Sequence, residues 1–156
     1  MFGGGVFVSA NGALTLNAGS EISGNKAVDG GGIWNLGKFT MNGGTISGNN
    51  ADLSGAGIWN GDYLDMYNGS ITGNVAVIGG GGVFSTGTFA MRAGSITGNT
   101  AREGGGVTNA GTFALGGGTI NNNTATMAGP NLWSSGIFHR ADGITITGVF
   151  EIDPDR

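Results

Sequence analysis

Hydrophobic positions alternate with polar ones in runs of three to five residues, and turn residues break the runs at a regular interval. Alternation with a period of two over so few residues is the pattern of half-buried strands. Helices would place apolar residues three and four apart. Between Gly30 and Asn50 the runs are GIWN (Gly32 to Asn35), KFTMN (Lys38 to Asn42) and TIS (Thr45 to Ser47), separated by Leu36-Gly37, Gly43-Gly44 and Gly48-Asn49. The block then repeats. The isoleucine of its Ser/Thr-Ile-Ser/Thr run falls at Ile22, Ile46, Ile71, Ile96, Ile120 and Ile146, in steps of 24, 25, 25, 24 and 26.

Three short strands cannot enclose a core, but stacked repeats can, each strand pairing in parallel with its equivalent one coil later, at about 4.8 Å per coil. The pattern predicts an all-β chain forming one domain over residues 1–156. Its architecture is a right-handed parallel β-helix of about six coils, each spanning roughly 24–26 residues, with three strands per coil. The last coil and tail, over 129–156, are irregular. Alternation assigns the inward residues. The pairs Leu14/Leu16, Phe39/Met41, Leu64/Met66, Phe89/Met91 and Phe113/Leu115 fill one wall and the isoleucines a second. Ile33, Ile58, Val83, Val107 and Leu132 fill a third, and Ala27, Ala51, Ala76, Ala101 and Ala125 sit at a turn with little space. Asparagines recur at corners, Asn25, Asn49, Asn74, Asn99 and Asn123 in one register and Asn35, Asn60 and Asn109 in another, with Ser85 and Ser134 as substitutes. They read either as stacked amide ladders or simply as turn formers.

Composition narrows the class. Thirty-six glycines with 2 prolines, without a three-residue period, exclude collagen, and 38% hydrophobic residues at fixed intervals exclude a flexible linker. A net charge of −4 with 10% charged residues offers no field for a phosphate backbone, so no nucleic-acid partner is expected. There is no cysteine, hence no disulfide or thiolate metal site, and no apolar run approaches the roughly 18 residues of a membrane span.

GGGI (Gly30 to Ile33), GAGI (Gly55 to Ile58), GGGV (Gly80 to Val83) and FTMN (Phe39 to Asn42) resemble the Gly-Gly-Ala-Ile and Phe-x-x-Asn repeats of polymorphic outer-membrane proteins and related bacterial surface adhesins. The resemblance implies passenger material, extracellular or at the cell surface. Calcium-binding nonapeptide repeats fit worse, since Trp34-Asn35 and Phe84-Ser85 stand where aspartates are needed.

Candidate chemistry is sparse. Asp62 and Asp65 lie beside Tyr63 and Tyr67, with Asp65 expected to face solvent. Glycoside hydrolysis needs two carboxylates across a bound sugar, and the equivalents of Asp65 in neighbouring coils are Thr40, Ala90 and Ala114. Ordinary surface charge is the better reading. His139, Arg140 and Asp142 read as a surface loop. Asp29, Asp52 and Glu103 are too few oxygens for calcium. The sequence therefore indicates no catalytic residue, no cofactor and no metal, hence not an enzyme.

Two outward surfaces remain. Phe7, Trp34, Trp59, Phe84 and Trp133, interrupted by Thr108, each follow an inward aliphatic residue and should project as an aromatic stripe that binds a protein or carbohydrate surface ligand. The alternative places the rings inward and the aliphatics outward. Flanking the isoleucines, Thr45 and Ser47, Ser70 and Thr72, Ser95 and Thr97, Thr119 and Asn121, and Thr145 and Thr147, with Glu21 and Ser23 before them, make two ranks. Ten of those twelve positions are Ser or Thr, which resembles the hydroxyl arrays of ice-binding solenoids and makes ice binding the alternative function. A carbohydrate-binding or carbohydrate-processing β-helix is the second alternative. Open solenoid ends imply self-association. The charged tail from Glu151 to Asp155 is expected to blunt one end, while the other is either covered by preceding sequence or available to another chain.

Overall fold

The computed structural model describes residues 2–151. The chain winds into a parallel β-solenoid of five full turns and a shortened sixth, with no helix among the described residues. Every pairing is parallel and joins equivalent strands of successive turns, as in Ile46↔Ile71↔Ile96.

A turn has four strands rather than the three expected. In the second turn they are Ile33–Asn35, Lys38–Met41, Thr45–Ser47 and Asn50–Ala51. They belong to parallel walls of seven, six, five and five strands respectively. The fourth strand is two residues long there and carries the alanine column, which the sequence places at a bend. Ala27, Ala51, Ala76 and Ala101 are buried, whereas Ala125 is half-buried. A two-residue strand leaves no alternation to detect, so it is invisible to a reading based on period.

The inward residues of the first three walls form one continuous core. Ile33, Phe39, Met41, Ile46, Ile58, Leu64, Met66 and Ile71 have no exposed surface, and their equivalents in the fourth and fifth turns are almost equally enclosed. Each such side chain contributes roughly 1.5–3 kcal/mol of apolar burial. Phe89 and Phe113 stack with centroids 4.7 Å apart, and Phe138 continues the stack at 5.3 Å. Phe138 lies on Ile137–Arg140, a regular strand of the second wall where a break and a surface loop are expected from sequence. Ile137 and His139 point outward, and Arg140 takes the wall position of Leu115 at the end of the sheet.

Asparagine ladders run along two corners. In the first, the Oδ1 of each asparagine accepts both the backbone N–H and the side-chain amide of its predecessor. Asn49 donates both to Asn74 at 3.0 Å, Asn74 both to Asn99 at 3.0 and 2.9 Å, and Asn99 both to Asn123 at 3.0 Å. Each Nδ2 also reaches the carbonyl of an isoleucine one turn back, Asn74 to Ile46 and Asn99 to Ile71. In the second corner Asn35 donates to Asn60, Asn60 to Ser85, and Asn109 to Ser134. The left-handed backbone belongs to the residue before the ladder asparagine: Gly24, Gly48, Gly73 and Gly98 have φ of 66°, 59°, 64° and 67°, and Asn122 adopts 53° in the fifth turn. The asparagines are thus selected for their side chains rather than as turn formers.

This ladder explains the third glycine of each Gly-Gly motif. A Cβ on Gly82 would lie 2.6 Å from the Gly106 carbonyl oxygen, 2.9 Å from Ile96 and 3.1 Å from the Asn99 amide. In the last turn that position is Asn131, and no ladder asparagine follows, since Val149 stands where the Ile-x-Gly-Asn pattern would place one. Asn131 fills the gap itself: its Oδ1 accepts from Asn123 N–H at 3.2 Å and Nδ2 at 3.0 Å, and its Nδ2 donates to the Thr147 carbonyl at 2.8 Å.

The sixth turn is short. Leu132 pairs back with Val107 and forward with Val149, so the step along the first wall falls from 25 to 17. Ile146 therefore does not extend the isoleucine wall as a strand, although Ile144, Ile146 and Val149 pack against the core. The expected blunting tail beyond Glu151 lies outside the described residues.

Candidate functional site: the outward aromatic column and hydroxyl ranks

On the first wall, Ile33 and Asn35 point into the solenoid, so Trp34 between them points out, and the same holds for Trp59, Phe84 and Trp133. The alternative with inward rings is excluded, because Ile33, Ile58, Val83, Val107 and Leu132 are completely enclosed. Parallel pairing in register stacks the rings. Trp34 and Trp59 lie face to face, with centroids 3.9 Å apart and planes 3° from parallel, and Phe84 follows at 6.3 Å and 19°. All three are half-buried.

The column differs from expectation at its first end. Phe7 pairs with Trp34 along the backbone and is 56% exposed, but it is Phe2 whose ring packs on Trp34, tilted 43° at 4.6 Å. Thr108 interrupts the column as a buried residue, its hydroxyl accepting from Gly80 N–H and donating to the Glu103 carbonyl. Trp133 is separated from the others by that threonine. Sequence reasoning missed a neighbouring apolar corner. Leu53, Val77 and Ile78 are exposed where the fourth wall turns into the first, Ile78 N–H donating to the Leu53 carbonyl. A Cβ on Gly79, the next residue, would touch the Phe84 ring, so this corner borders the column. Its signal in the sequence is a set of apolar residues in a turn where the first coils carry Asp29 and Asp52.

On the third wall, Thr45, Ser47, Ser70, Thr72, Ser95 and Thr97 stand in register as two half-exposed ranks, and Thr119 with Asn121 extends them. The Ser95 hydroxyl donates to that of Ser70 at 3.4 Å. Thr145 and Thr147 are not part of this face. They lie in the irregular segment before Val149, because the last turn is too short to lay another strand there.

Asp65 faces outward as expected but is not solvated. Arg92, on the next turn, covers it: Nε donates to Oδ1 at 2.9 Å and Nη2 to Oδ2 at 3.2 Å, and the guanidinium lies 5.1 Å from the centroid of the Tyr67 ring. The hydrogen bond and charge of Asp65 raise the pKa of Arg92 above its ordinary value. A carboxylate committed to two such bonds is poorly placed to move protons. His139 is exposed on the outer face of the second wall opposite Ala114, and Asp29 accepts from Ser54 N–H at 2.9 Å. Asp52 pairs with Lys26 at the surface. Among the described residues no group of three or more His, Cys, Asp or Glu could hold a metal ion, and no helix is long and apolar enough to cross a membrane.

No family model, curated protein or solved structure matches the chain. The geometry of its surfaces is what bears on function.

Proposed function

We propose that the chain is a non-enzymatic structural or adhesive segment of a secreted or surface-anchored bacterial protein, and that it meets a protein or carbohydrate partner through the aromatic column. The observation that carries this is the stack Phe2–Trp34–Trp59–Phe84 on the outside of a fully packed rod, flanked by exposed Leu53, Val77 and Ile78. Contiguous apolar surface of this kind usually marks an interaction site, and tryptophan serves both protein interfaces and sugar faces. The repeat resemblance supports the same reading.

The test is the double variant Trp34→Ala/Trp59→Ala, assayed for binding to immobilised polysaccharides and to intact cell surfaces. Binding by the native chain that disappears in the variant, with the circular dichroism unchanged, is the expected result. If melting drops sharply while binding persists, the stack serves stability and the assignment fails.

Ice binding is the second reading, favoured by the in-register hydroxyl ranks from Thr45 to Thr97. Thermal hysteresis lost on Thr72→Tyr or Thr97→Tyr would support it; none at high protein concentration removes it. Polysaccharide cleavage abolished by Asp65→Asn would overturn the non-enzymatic assignment.

A further inference from the structure

Asparagine stands before glycine four times, at Asn11-Gly12, Asn42-Gly43, Asn60-Gly61 and Asn68-Gly69. This dipeptide is chemically labile. The backbone nitrogen of the following residue can attack the side-chain carboxamide, and glycine, with no Cβ, gives that nitrogen the least shielding and the freest backbone. Attack needs a carboxamide lying against a nitrogen that nothing else engages, and the fold treats the four pairs differently in this respect.

Three of them are held away from reaction. Asn60 is fully buried in the second ladder, its Nδ2 donating to Ser85 Oγ at 3.0 Å and to the Thr88 carbonyl at 3.1 Å, while Gly61 N–H donates to the Asn35 carbonyl at 2.8 Å. Gly12 N–H is likewise engaged, by the Ser9 carbonyl at 2.7 Å. Asn42 turns its Nδ2 along the rod to Asn17 Oδ1 at 3.2 Å. Behind it the buried Gly43 packs so closely on the previous turn that a Cβ there would lie 3.0 Å from the Ala18 nitrogen.

The fourth pair is poised. It sits in the turn between Tyr63–Met66 and Ser70–Thr72, which is pinned on both sides, Tyr67 N–H donating to the Met41 carbonyl at 2.9 Å and Ser70 N–H to that of Gly44 at 3.0 Å. Between these anchors Asn68 is exposed, and Gly69 N–H finds one acceptor among the described residues, the Oδ1 of Asn68 itself at 2.9 Å. A local bond of this kind folds the carboxamide onto the nitrogen that would attack it.

We propose that Asn68 is the site at which the folded chain deamidates, by cyclisation onto Gly69. The Gly69 nitrogen bonds to Cγ and loses its proton, and the Cγ–Nδ2 bond breaks with Nδ2 leaving as ammonia, which gives a succinimide. Water then opens the ring. Cleavage between the nitrogen and Cγ leaves an aspartate in place of Asn68. Cleavage between the nitrogen and the α-carbonyl leaves isoaspartate, so that the main chain runs through the former side chain and gains one methylene. Either product adds one negative charge to a chain of formal net charge −4, and the second lengthens a turn held on both sides.

The test incubates the full native chain in mildly alkaline buffer, digests it, and reads by peptide mass spectrometry the fraction of each Asn-Gly pair converted from amide to acid. A parallel incubation in urea removes the fold. In the folded chain, conversion at Asn68 should be at least about tenfold faster than at Asn11, Asn42 or Asn60, with isoaspartate among the products, whereas in urea the four rates should converge. Anion exchange should resolve one early acidic species, abolished by Asn68→Gln and retained in Asn42→Gln. The Asn68 side chain is exposed and accepts only from Gly69 N–H, so Asn68→Gln should leave the fold intact, which circular dichroism checks. A native order led by another pair, the same preference for Asn68 in urea, or an early acidic species that survives Asn68→Gln would overturn the proposal.

Discussion

Replacing Asn74 by alanine removes one rung from the middle of the longer amide ladder. Four hydrogen bonds are lost: two accepted from Asn49 and two donated, to the Ile46 carbonyl and to Asn99. They are not equivalent. Asn99 Oδ1 keeps the backbone N–H of residue 74, and Asn49 Nδ2 keeps the Ile22 carbonyl through its other hydrogen. The groups left without any partner are the Asn49 backbone N–H and one hydrogen of its amide, both buried. An orphaned buried donor costs about 1–3 kcal/mol, so the variant should lose about 4 kcal/mol, a large part of a total of ~5–15 kcal/mol. Urea unfolding followed by circular dichroism gives the number, read from the midpoint at constant slope. Asn68→Ala is the control, since its side chain is exposed and accepts only from the adjacent Gly69 N–H; it should stay within about 0.5 kcal/mol. A loss below about 1 kcal/mol at Asn74, the lower bound for one orphaned donor, would refute the reasoning and return these residues to the role of turn formers.

Other substitutions separate the causes further. Gly82→Ala places a Cβ against the Gly106 carbonyl and the Asn99 amide, and thermal melting should show a clear loss of stability. Gly48 has open space around it but a φ of 59°. Gly48→Ala should cost about 1–2 kcal/mol of backbone strain, and Gly48→Asn measurably less, because Asn122 already adopts that conformation. Arg92→Ala and Asp65→Asn should each lower the melting temperature, and the double variant by less than their sum, since both remove the same paired hydrogen bonds.

Much of this architecture is legible because the solenoid maps sequence period directly onto space. The repeat step is the stacking interval, and alternation within each run gives the inward face, so the isoleucine and Phe/Met walls follow from spacing alone. What escapes is whatever lacks a period. The fourth wall is too short to alternate. Arg92 lies just off the repeat from Asp65, whose register partner is Ala90, so the bond that covers the carboxylate is not suggested by aligned columns. Phe2 displaces Phe7 as the neighbour of Trp34 because its ring lies over the column from outside the first strand. At the far end, the run Ile144 to Thr147 has the composition of another wall, but the shortened turn from Leu132 to Val149 cannot lay a strand there.

The ladder, the aromatic column and the hydroxyl ranks all depend on turns stacked in parallel and in register, and disulfide formation measures that register directly. The chain has no cysteine of its own. Ser47 and Thr72 are register partners on the outer face, hence about 4.8 Å apart, within the ~4.4–6.8 Å between Cα atoms that a disulfide spans. The pair Ser47→Cys/Thr72→Cys should oxidise completely in the monomer with unchanged circular dichroism. Ser47→Cys/Thr97→Cys, two turns apart at about 9.6 Å, should remain reduced. Linkage of the second pair in preference to the first would contradict the account.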